Sequence, residues 1–195
     1  MRTPNSNRNG RAVPVLTILV LCSALLGGCS TYMVTPKALP PVSGSEGLSL
    51  SAVSLIVVNA EKDSAEQDIL TLTKGRSGFR GNRQAWSKRL VESLSRELAV
   101  RGARLRSNAP VVVSLAVPEI TFSETRGQFQ FTVRAAVSSS GGWAKEYEGV
   151  ATSTVTSTGS MQAEANRLAG QALADVVRKM LGDTEFLVRL GSPRS

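Results

Sequence analysis

The sequence predicts an α+β domain, a two-layer sandwich in which two long amphipathic helices cover one face of a four- or five-stranded mixed or antiparallel sheet. Two observations support this fold class. Apolar residues recur at three- and four-residue spacing in two long stretches of the chain. Between those stretches, apolar and polar residues alternate over a block of three strands, which is the period of a sheet with one covered face.

The first strand is predicted over Leu48–Val58, whose second half is apolar at nearly every position. That pattern indicates a strand covered on at least one side. Residues 59–67 are charged and turn-like, and Ile69–Thr73 alternates as a short edge strand does. The path from the first strand through a helix favours a parallel pairing with a later strand.

The first helix is predicted to begin after Asn82, a favourable N-cap, and to end near Arg101, before a glycine that can terminate it. Its apolar stripe begins with Trp86. A tryptophan at the head of a stripe usually packs in the core, and we expect that here, although such a ring can also stack on a ligand.

The second long helix is predicted to begin after Ser160 and to end at Gly182. Its small and apolar residues form one stripe that can approach the sheet closely, so we expect core packing rather than a groove for a partner. Asp183 then caps a short third helical segment that reaches Leu190.

Three strands separate the long helices. The first, Val111–Phe122, alternates until Pro118 and then changes phase, which predicts a bulge at that point. Phe129–Val137 alternates throughout, and Trp143–Thr156 completes an antiparallel meander. One side of the central strand is polar and should remain open to solvent or to a partner; it carries Gln128, Gln130, Thr132 and Arg134.

The beginning of the chain has the composition of a signal peptide. A polar segment with three arginines and no acidic residue precedes Ala12–Leu26, which is apolar almost throughout. This run is shorter than the roughly 20 residues that a spanning helix needs. Gly27 and Gly28 are small, as a signal peptidase requires, and cleavage is predicted between Gly28 and Cys29.

Leu26, Gly27, Gly28 and Cys29 together resemble the lipobox of bacterial lipoproteins. The resemblance implies that Cys29 becomes the new N-terminus and carries acyl chains such as palmitate, which anchor a protein stably when two or more are present. Ser30 in the next position implies sorting to the outer membrane, with the domain facing the periplasm. The predicted organisation is a signal peptide over 1–28, a lipidated cysteine and flexible tether over 29–47, and one domain over 48–191.

Composition excludes several classes of function. The formal net charge of +8 falls to +5 once Arg2, Arg8 and Arg11 leave with the leader, which is too small an excess to predict nucleic-acid binding. Histidine is absent, and Cys22 would also leave with the leader. The mature domain therefore has no disulfide, no thiol nucleophile and no histidine-dependent catalysis or metal site, and we expect no cofactor.

Carboxylates are the remaining candidates for catalysis. Glu119, Glu124, Glu146 and Glu148 fall on strands or turns, and alternation places the last two on one face of one strand. The sequence shows no further group that would tune their pKa values, and acidic clusters of this kind are usually solvated. We therefore expect no enzymatic activity, with a peptidoglycan hydrolase that uses these carboxylates as the alternative.

A basic stretch precedes the first helix. It contains six cations and no acidic residue, and glycines punctuate it, but the spacing of a phosphate-binding P-loop is absent. Two interpretations stay open: a solvated loop, or a patch for anionic lipid, lipopolysaccharide or an acidic partner. The cations are Lys74, Arg76, Arg80, Arg83, Lys88 and Arg89.

Four segments of the chain resemble YajG-type lipoproteins: "VSLIVVNAEKDS", "LAVRGARL", "FQFTVRAAV" and "NRLAGQALADVVRKML". More distantly they resemble small envelope lipoproteins that assist lipid transport, such as LptE and the auxiliary subunits of intermembrane transporters. The resemblance implies an α+β envelope domain with no catalytic residues to carry over. The expected function is a lipid-anchored, non-catalytic binding or assembly role, with an envelope complex, lipopolysaccharide or peptidoglycan as partner.

Overall fold

The computed structural model describes residues 30–37, 39, 41–42, 49–62, 68–72, 77–125, 128–154 and 161–191. Over these residues the chain forms eight strands and three helices. The strands are β1 (Ser30–Met33), β2 (Ser54–Asn59), β3 (Asp68–Leu72), β4 (Ser77–Asn82), β5 (Arg104–Leu105), β6 (Val111–Thr125), β7 (Gln128–Ser139) and β8 (Ala144–Thr154). The helices are α1 (Arg83–Val100), α2 (Met161–Gly182) and α3 (Thr184–Gly191).

Five strands form the main sheet, in the order β5-β2-β6-β7-β8. β2 pairs in parallel with β5 and with β6, so the parallel pairing that the first crossover favoured is confirmed. β6, β7 and β8 form the predicted antiparallel meander. The first strand is shorter than the predicted Leu48–Val58: Leu50 is buried but precedes the strand, and its amide donates to the carbonyl of Arg101. The two-residue strand β5 was not predicted.

Both long helices pack on one face of this sheet, as the sequence predicted. The inward side chains of β6 and β7, such as Val113, Leu115 and Val133, have no exposed surface. Trp86 of α1 is buried, and its ring stacks on that of Phe131 with 6.1 Å between centroids and 15° between planes. The two-layer α+β class is therefore confirmed, and Trp86 is a core residue.

The predicted helix ends also agree with the structure where it describes them. The side chain of Asn82 accepts a hydrogen bond from the amide of Ala85 at 2.8 Å, and Gly102, just beyond α1, has φ of 90°. Asp183 caps α3, because its Oδ1 accepts from the amide of Glu185 at 2.9 Å. The predicted cap at Ser160 lies outside the described residues.

The phase change at Pro118 is a bulge, as predicted. The register of β6 against β7 shifts between Ala116 and Glu119. The proline has no amide to contribute to the ladder, and its carbonyl accepts a hydrogen bond from Nη2 of Arg83 at 3.3 Å. The half of β6 before the bulge lies beneath α1. The half after the bulge is covered by a second, smaller sheet.

A three-stranded sheet, in the order β1-β4-β3, was not predicted. β3 matches the short edge strand expected at Ile69–Thr73, but residues 77–82, expected to be a basic loop, form the central strand β4. The loop assignment is wrong for these residues. β4 contains only one large apolar residue and so lacks the alternating pattern of a strand, and its extended conformation depends on pairing with β1 and β3. Phe79 of β4 packs on Phe122, with 4.4 Å between ring centroids, and so joins the two sheets.

The expectation of a flexible tether is wrong for the described residues of 30–42. Ser30–Met33 pairs with β4, and the segment that follows, which we term the strap (residues 34–42, of which 38 and 40 are not described), lies across the helices. Val34, Leu39 and Val42 of the strap are buried. The sequence signal for this burial, which the tether prediction did not use, was the spacing of these apolar residues among prolines. The folded domain therefore begins at Ser30 and not at residue 48.

The strap is held by polar contacts to both long helices. Nε1 of Trp86 in α1 donates to the carbonyl of Val34 at 3.2 Å, and the amide of Val42 donates to Oε1 of Glu97, also in α1, at 3.1 Å. The contact to α2 is the hydrogen bond that the amide of Thr35 donates to Oδ1 of Asn166 at 3.0 Å. Glu97 is 4% exposed and forms an ion pair with Arg101 at 3.8 Å. Burial of a carboxylate is tolerated there because the strap and the helix both supply donors to it.

Candidate functional site

The face of the main sheet opposite the helices is the candidate binding surface, which we term the open face. Alternation along β7 turns every second side chain away from the helices. The predicted row lies here: Gln128, Gln130 and Arg134 are exposed and Thr132 is half-buried. Gln130 donates through Nε2 to the hydroxyl of Thr132 at 3.3 Å. The structure thus places all four predicted residues together on a polar strip.

A row of charges crosses the open face. Nη1 of Arg134 lies 2.8 Å from Oε2 of Glu119, and its Nε lies 4.0 Å from Oε2 of Glu146. The three side chains are 45%, 53% and 64% exposed. Pairs this exposed contribute little to stability, so the row is available for rearrangement against a partner.

The open face contains a shallow groove at the end where β6 begins. Its volume is about 440 Å³. Its floor is made of small side chains on neighbouring strands, because Ser114 and Ala116 of β6 stand opposite Ser138 and Ala136 of β7. Ala144 and Glu146 of β8 continue the floor and its rim. Small residues on three adjacent strands leave room for another chain to lie against the backbone.

Apolar side chains border this groove. Val58 of β2 stands beside Ser114 of the groove floor, and Ile56 of β2 stands beside Val112 of β6. All three apolar side chains are half-buried. The sequence indicated part of this, because the second half of the first strand is apolar at nearly every position. The groove itself was missed. Its signal was two pairs of small residues at alternate positions, Ser114 and Ala116 on β6 and Ala136 and Ser138 on β7. Only the strand register brings the two pairs together.

The β8 edge of the main sheet is a poorer candidate than the open face. The amide of Val150 on β8 donates to Oδ2 of Asp175 at 3.2 Å, and Nζ of Lys179 donates to the carbonyl of Glu148 at 2.6 Å. Both partners belong to α2, whose backbone passes close to Gly149. The backbone amide and carbonyl with which an added strand would pair are thus already hydrogen-bonded to side chains, which favours recognition through the open face.

The carboxylates considered for hydrolysis do not form a shielded pair. Glu119 and Glu146 both contact Arg134, and the register of β7 with β8 places Glu148 opposite the same arginine. All three are exposed, whereas a general acid needs a site that excludes water and favours its protonated form. The side chain of Glu124 lies outside the described residues.

A second polar cluster joins β8 to the helix end at Asp183. Oδ2 of Asp183 accepts from Nζ of Lys145 and from the hydroxyl of Tyr147, each at 2.6 Å. Burial raises the pKa of Tyr147, and its hydrogen bond to Asp183 raises that pKa further. A phenol held in its protonated form is a donor and not a nucleophile. The cluster is therefore a structural connection between β8 and α3.

The pKa of Asp183 reflects the same contacts. Burial raises it, but hydrogen bonds from Lys145, Tyr147 and the amide of Phe186 outweigh burial and bring it to about 2. The pKa of Lys145 is raised, chiefly by its hydrogen bond to Asp183. The carboxylate is thus ionised and the ammonium protonated across the neutral range, in line with a fixed ion pair.

The six cations of the predicted basic patch do not gather into one set among the described residues. Lys74 and Arg76 lie outside them. Arg83, Lys88 and Arg89 project from different sides of α1, since each helical residue advances about 100°. Arg83 binds the carbonyl of Pro118, and Arg89 pairs with Glu92 at 2.8 Å.

Two of these cations face outward near the small sheet. Arg80 of β4 and Lys88 are exposed, and Lys88 lines a cleft of about 660 Å³. Met33, Lys62 and Gln84 also line this cleft. The cleft runs beside the beginning of α1 and is bordered by the end of β1.

Cys29, the predicted lipidation site, and Gly28 lie outside the described residues. Among the described residues, no helix combines the length and the apolar character that crossing a membrane requires.

Comparison with known proteins gives a fold but no family. No family model and no curated protein matches the chain. A crystal structure from Xanthomonas campestris, of the family of unknown function DUF330, superposes with a TM-score of 0.51 at 15% identity, covering 83% of this chain and 96% of that one. This likeness supports the α+β architecture alone.

Two further structures resemble the chain less. A candidate lipoprotein from Caulobacter crescentus has a TM-score of 0.44 at 16% identity and covers 75% of this chain and 96% of its own. A hypothetical protein from Chlamydia trachomatis has a TM-score of 0.36 at 13% identity, with 71% and 94% covered.

Proposed function

We propose that this protein is a lipid-anchored envelope protein that binds a protein partner of an envelope complex through its open face. The observation that carries the proposal is the groove over β6, β7 and β8, with small residues on its floor and half-buried apolar residues of β2 and β6 beside it. Apolar surface rimmed by polar residues, as beside this groove, supports an interaction surface. The role we propose is non-catalytic.

The anchor is supported by the leader. A basic start, an apolar run and two glycines precede Cys29, which is the only cysteine outside that leader. Labelling with an alkyne fatty acid should mark the protein, and Cys29→Ala should abolish the mark. Outer-membrane sorting rests on Ser30, so Ser30→Asp should move the protein to the inner-membrane fraction. An unlabelled protein of native sequence would contradict the anchor.

The binding face can be tested by site-directed photo-crosslinking in cells. A photoreactive side chain at Ser138, on the groove floor, should give a defined adduct. Ala136→Arg in the same chain should remove that adduct, because the arginine fills the groove. Ala99→Arg, on the exposed surface of α1, is the matched control and should leave the adduct unchanged. An adduct that resists Ala136→Arg would contradict binding in the groove.

A carboxylate variant separates binding from hydrolysis. Replacing Glu119, Glu124, Glu146 and Glu148 together by glutamine keeps the shape of the side chains and removes their acid–base chemistry. Because Glu119 and Glu146 also lie on the open face, this variant should weaken complementation of a deletion strain only in part under the binding proposal, whereas Ala136→Arg should abolish it. The reverse pattern would favour an envelope hydrolase.

A further inference from the structure

The chain enters its fold directly after the cysteine that would carry the lipid. β1 begins at Ser30, which pairs in parallel with Ser77 of β4. Consecutive Cα atoms are about 3.8 Å apart, so an acyl group on Cys29 is attached one step from an ordered strand. Cys29 and Ser30 are consecutive, so no residues lie between them that could act as a tether between the lipid and the domain.

The contacts that follow keep this connection short. The amide of Val34 donates to the carbonyl of Arg80 at 2.7 Å, and Nε2 of Gln162 donates to the carbonyl of Met33 at 3.1 Å. Further along the strap, Nη2 of Arg96 donates to the carbonyl of Leu39 at 2.9 Å. The chain is thus attached to β4, α1 and α2 from its first strand onward, and the small sheet lies next to the anchor.

The surface beside the anchor suits an anionic membrane. Met33 is 48% exposed, and it stands opposite Arg80 in the register of β1 with β4. Lys62 and Lys88 line the cleft that Met33 borders. One apolar side chain among three cations can reach the interface while the cations meet lipid phosphates.

The opposite end of the molecule contains the groove. Phe122 contacts Phe79 of the small sheet, and from there β6 extends back to Ser114 on the groove floor. At about 3.3 Å per residue this is roughly 25 Å along the strand. A domain that rests on its small sheet therefore presents the groove away from the lipid.

We propose that the surface formed by Met33, Lys62, Arg80 and Lys88, the membrane-facing patch, lies on the anionic lipid surface and fixes the orientation of the domain. This proposal rests on the lipid anchor of the proposed function. The lipidated chain docks without a tether, with the patch at the level of the phosphates and the groove directed into the periplasm.

Fluorescence quenching by labelled lipid tests this orientation. The lipidated chain has no free thiol, so a fluorophore can be placed at Met33→Cys, at Lys88→Cys and, as the distant control, at Gly141→Cys. The chains are reconstituted in vesicles of phosphatidylethanolamine and phosphatidylglycerol that contain a headgroup nitroxide lipid. We expect strong quenching at both patch positions and little at Gly141, which lies in the turn between β7 and β8.

Charge variants test whether the patch itself holds the domain down. A Ser-Gly repeat inserted between Cys29 and Ser30 keeps a serine after the cysteine and lengthens the connection. In this chain, Arg80→Glu or Lys88→Glu should lower the docked-to-undocked ratio by at least about fivefold each. Arg106→Glu, an exposed arginine at the groove end, should leave that ratio unchanged.

Three outcomes would each contradict a different part of the proposal. Equal quenching at Met33, Lys88 and Gly141 in a chain shown to be acylated overturns the orientation and leaves the anchor intact. Loss of all quenching on insertion, before any charge is changed, overturns the affinity of the patch for lipid. A chain without acyl groups overturns the anchor and the orientation together.

Discussion

The two faces of the main sheet differ in what their side chains do. On the covered face, Leu115, Val133 and Ala135 are fully buried beneath the helices. On the open face, the corresponding positions carry small residues and a charged row that is about half exposed. Burial of apolar surface is the main favourable term in folding, so the stability of the domain resides on the covered face. The open face is free to vary in composition, and binding can be altered there without unfolding the domain.

Trp86→Ala should give the largest loss of stability on the covered face. The ring is 1% exposed, stacks on Phe131 and donates to the strap at Val34. Removing it should lower the free energy of unfolding by about 3–5 kcal/mol, because a cavity remains and a carbonyl loses its donor. Urea unfolding measures this change. Trp86→Phe should cost less, since most of the buried surface remains, and a loss below 1 kcal/mol for the alanine variant would contradict the assignment to the core.

Gly149→Ala should give the next largest loss of stability. A Cβ at this position would overlap the carbonyl oxygen of Ala172 and would lie 2.6 Å from Cγ2 of Val176, so α2 must move away from β8. Overpacking of this kind costs about 1–3 kcal/mol. Gly141→Ala is the matched control, because its Cβ would meet only the hydroxyl of Ser139 at 3.6 Å. Similar midpoints for the two variants in thermal unfolding would refute the close contact.

Asp183→Asn should have a smaller effect that depends on pH. The variant retains a cap for α3 but weakens the contacts to Lys145 and Tyr147, with an expected loss of about 1 kcal/mol at neutral pH. The folded pKa of Asp183, about 2, lies below the ordinary value of an aspartate, which is about 3.9. The stabilisation is therefore complete above that ordinary value and disappears as the pH falls through the folded pKa. Stability curves of the two proteins should converge near pH 2; a constant difference would contradict the ion-pair contribution.

Arg134→Ala on the open face should have the smallest effect on stability. Its ion pairs with Glu119 and Glu146 are exposed, and such pairs contribute roughly 0–1 kcal/mol. We expect a change in unfolding free energy within about 0.5 kcal/mol and a weaker crosslink from Ser138. A large destabilisation would show that the two faces are less separate than the burial pattern indicates.

The sequence was most informative where local periodicity and tertiary packing agree. The alternation of Phe129–Val137 predicted both faces of β7, and Asn82 and Asp183 predicted helix starts, because a cap depends on residues within one turn. The bulge at Pro118 was predictable for the same reason, since the proline removes a ladder hydrogen bond locally.

Features that depend on distant partners could not be predicted in this way. β1 and β4 form a strand pair although neither has an alternating apolar pattern, and Val34 and Val42 are buried only because α1 supplies donors and acceptors to the strap. The groove shares this property. Its alanines and serines are unremarkable in each strand, and only the register of β6 with β7 collects them on one floor.

The parallel pairing of β1 with β4 also determines how the domain withstands mechanical load. A pull directed along β1 from its N-terminal end at Ser30 would stress the hydrogen bonds between the two strands in shear, so that they share the force. An antiparallel hairpin pulled at its open end would instead break its bonds one after another. The strap adds attachment points at Trp86 and Glu97 behind the strand, so tension on β1 would pass into the helix layer before it could peel the chain away.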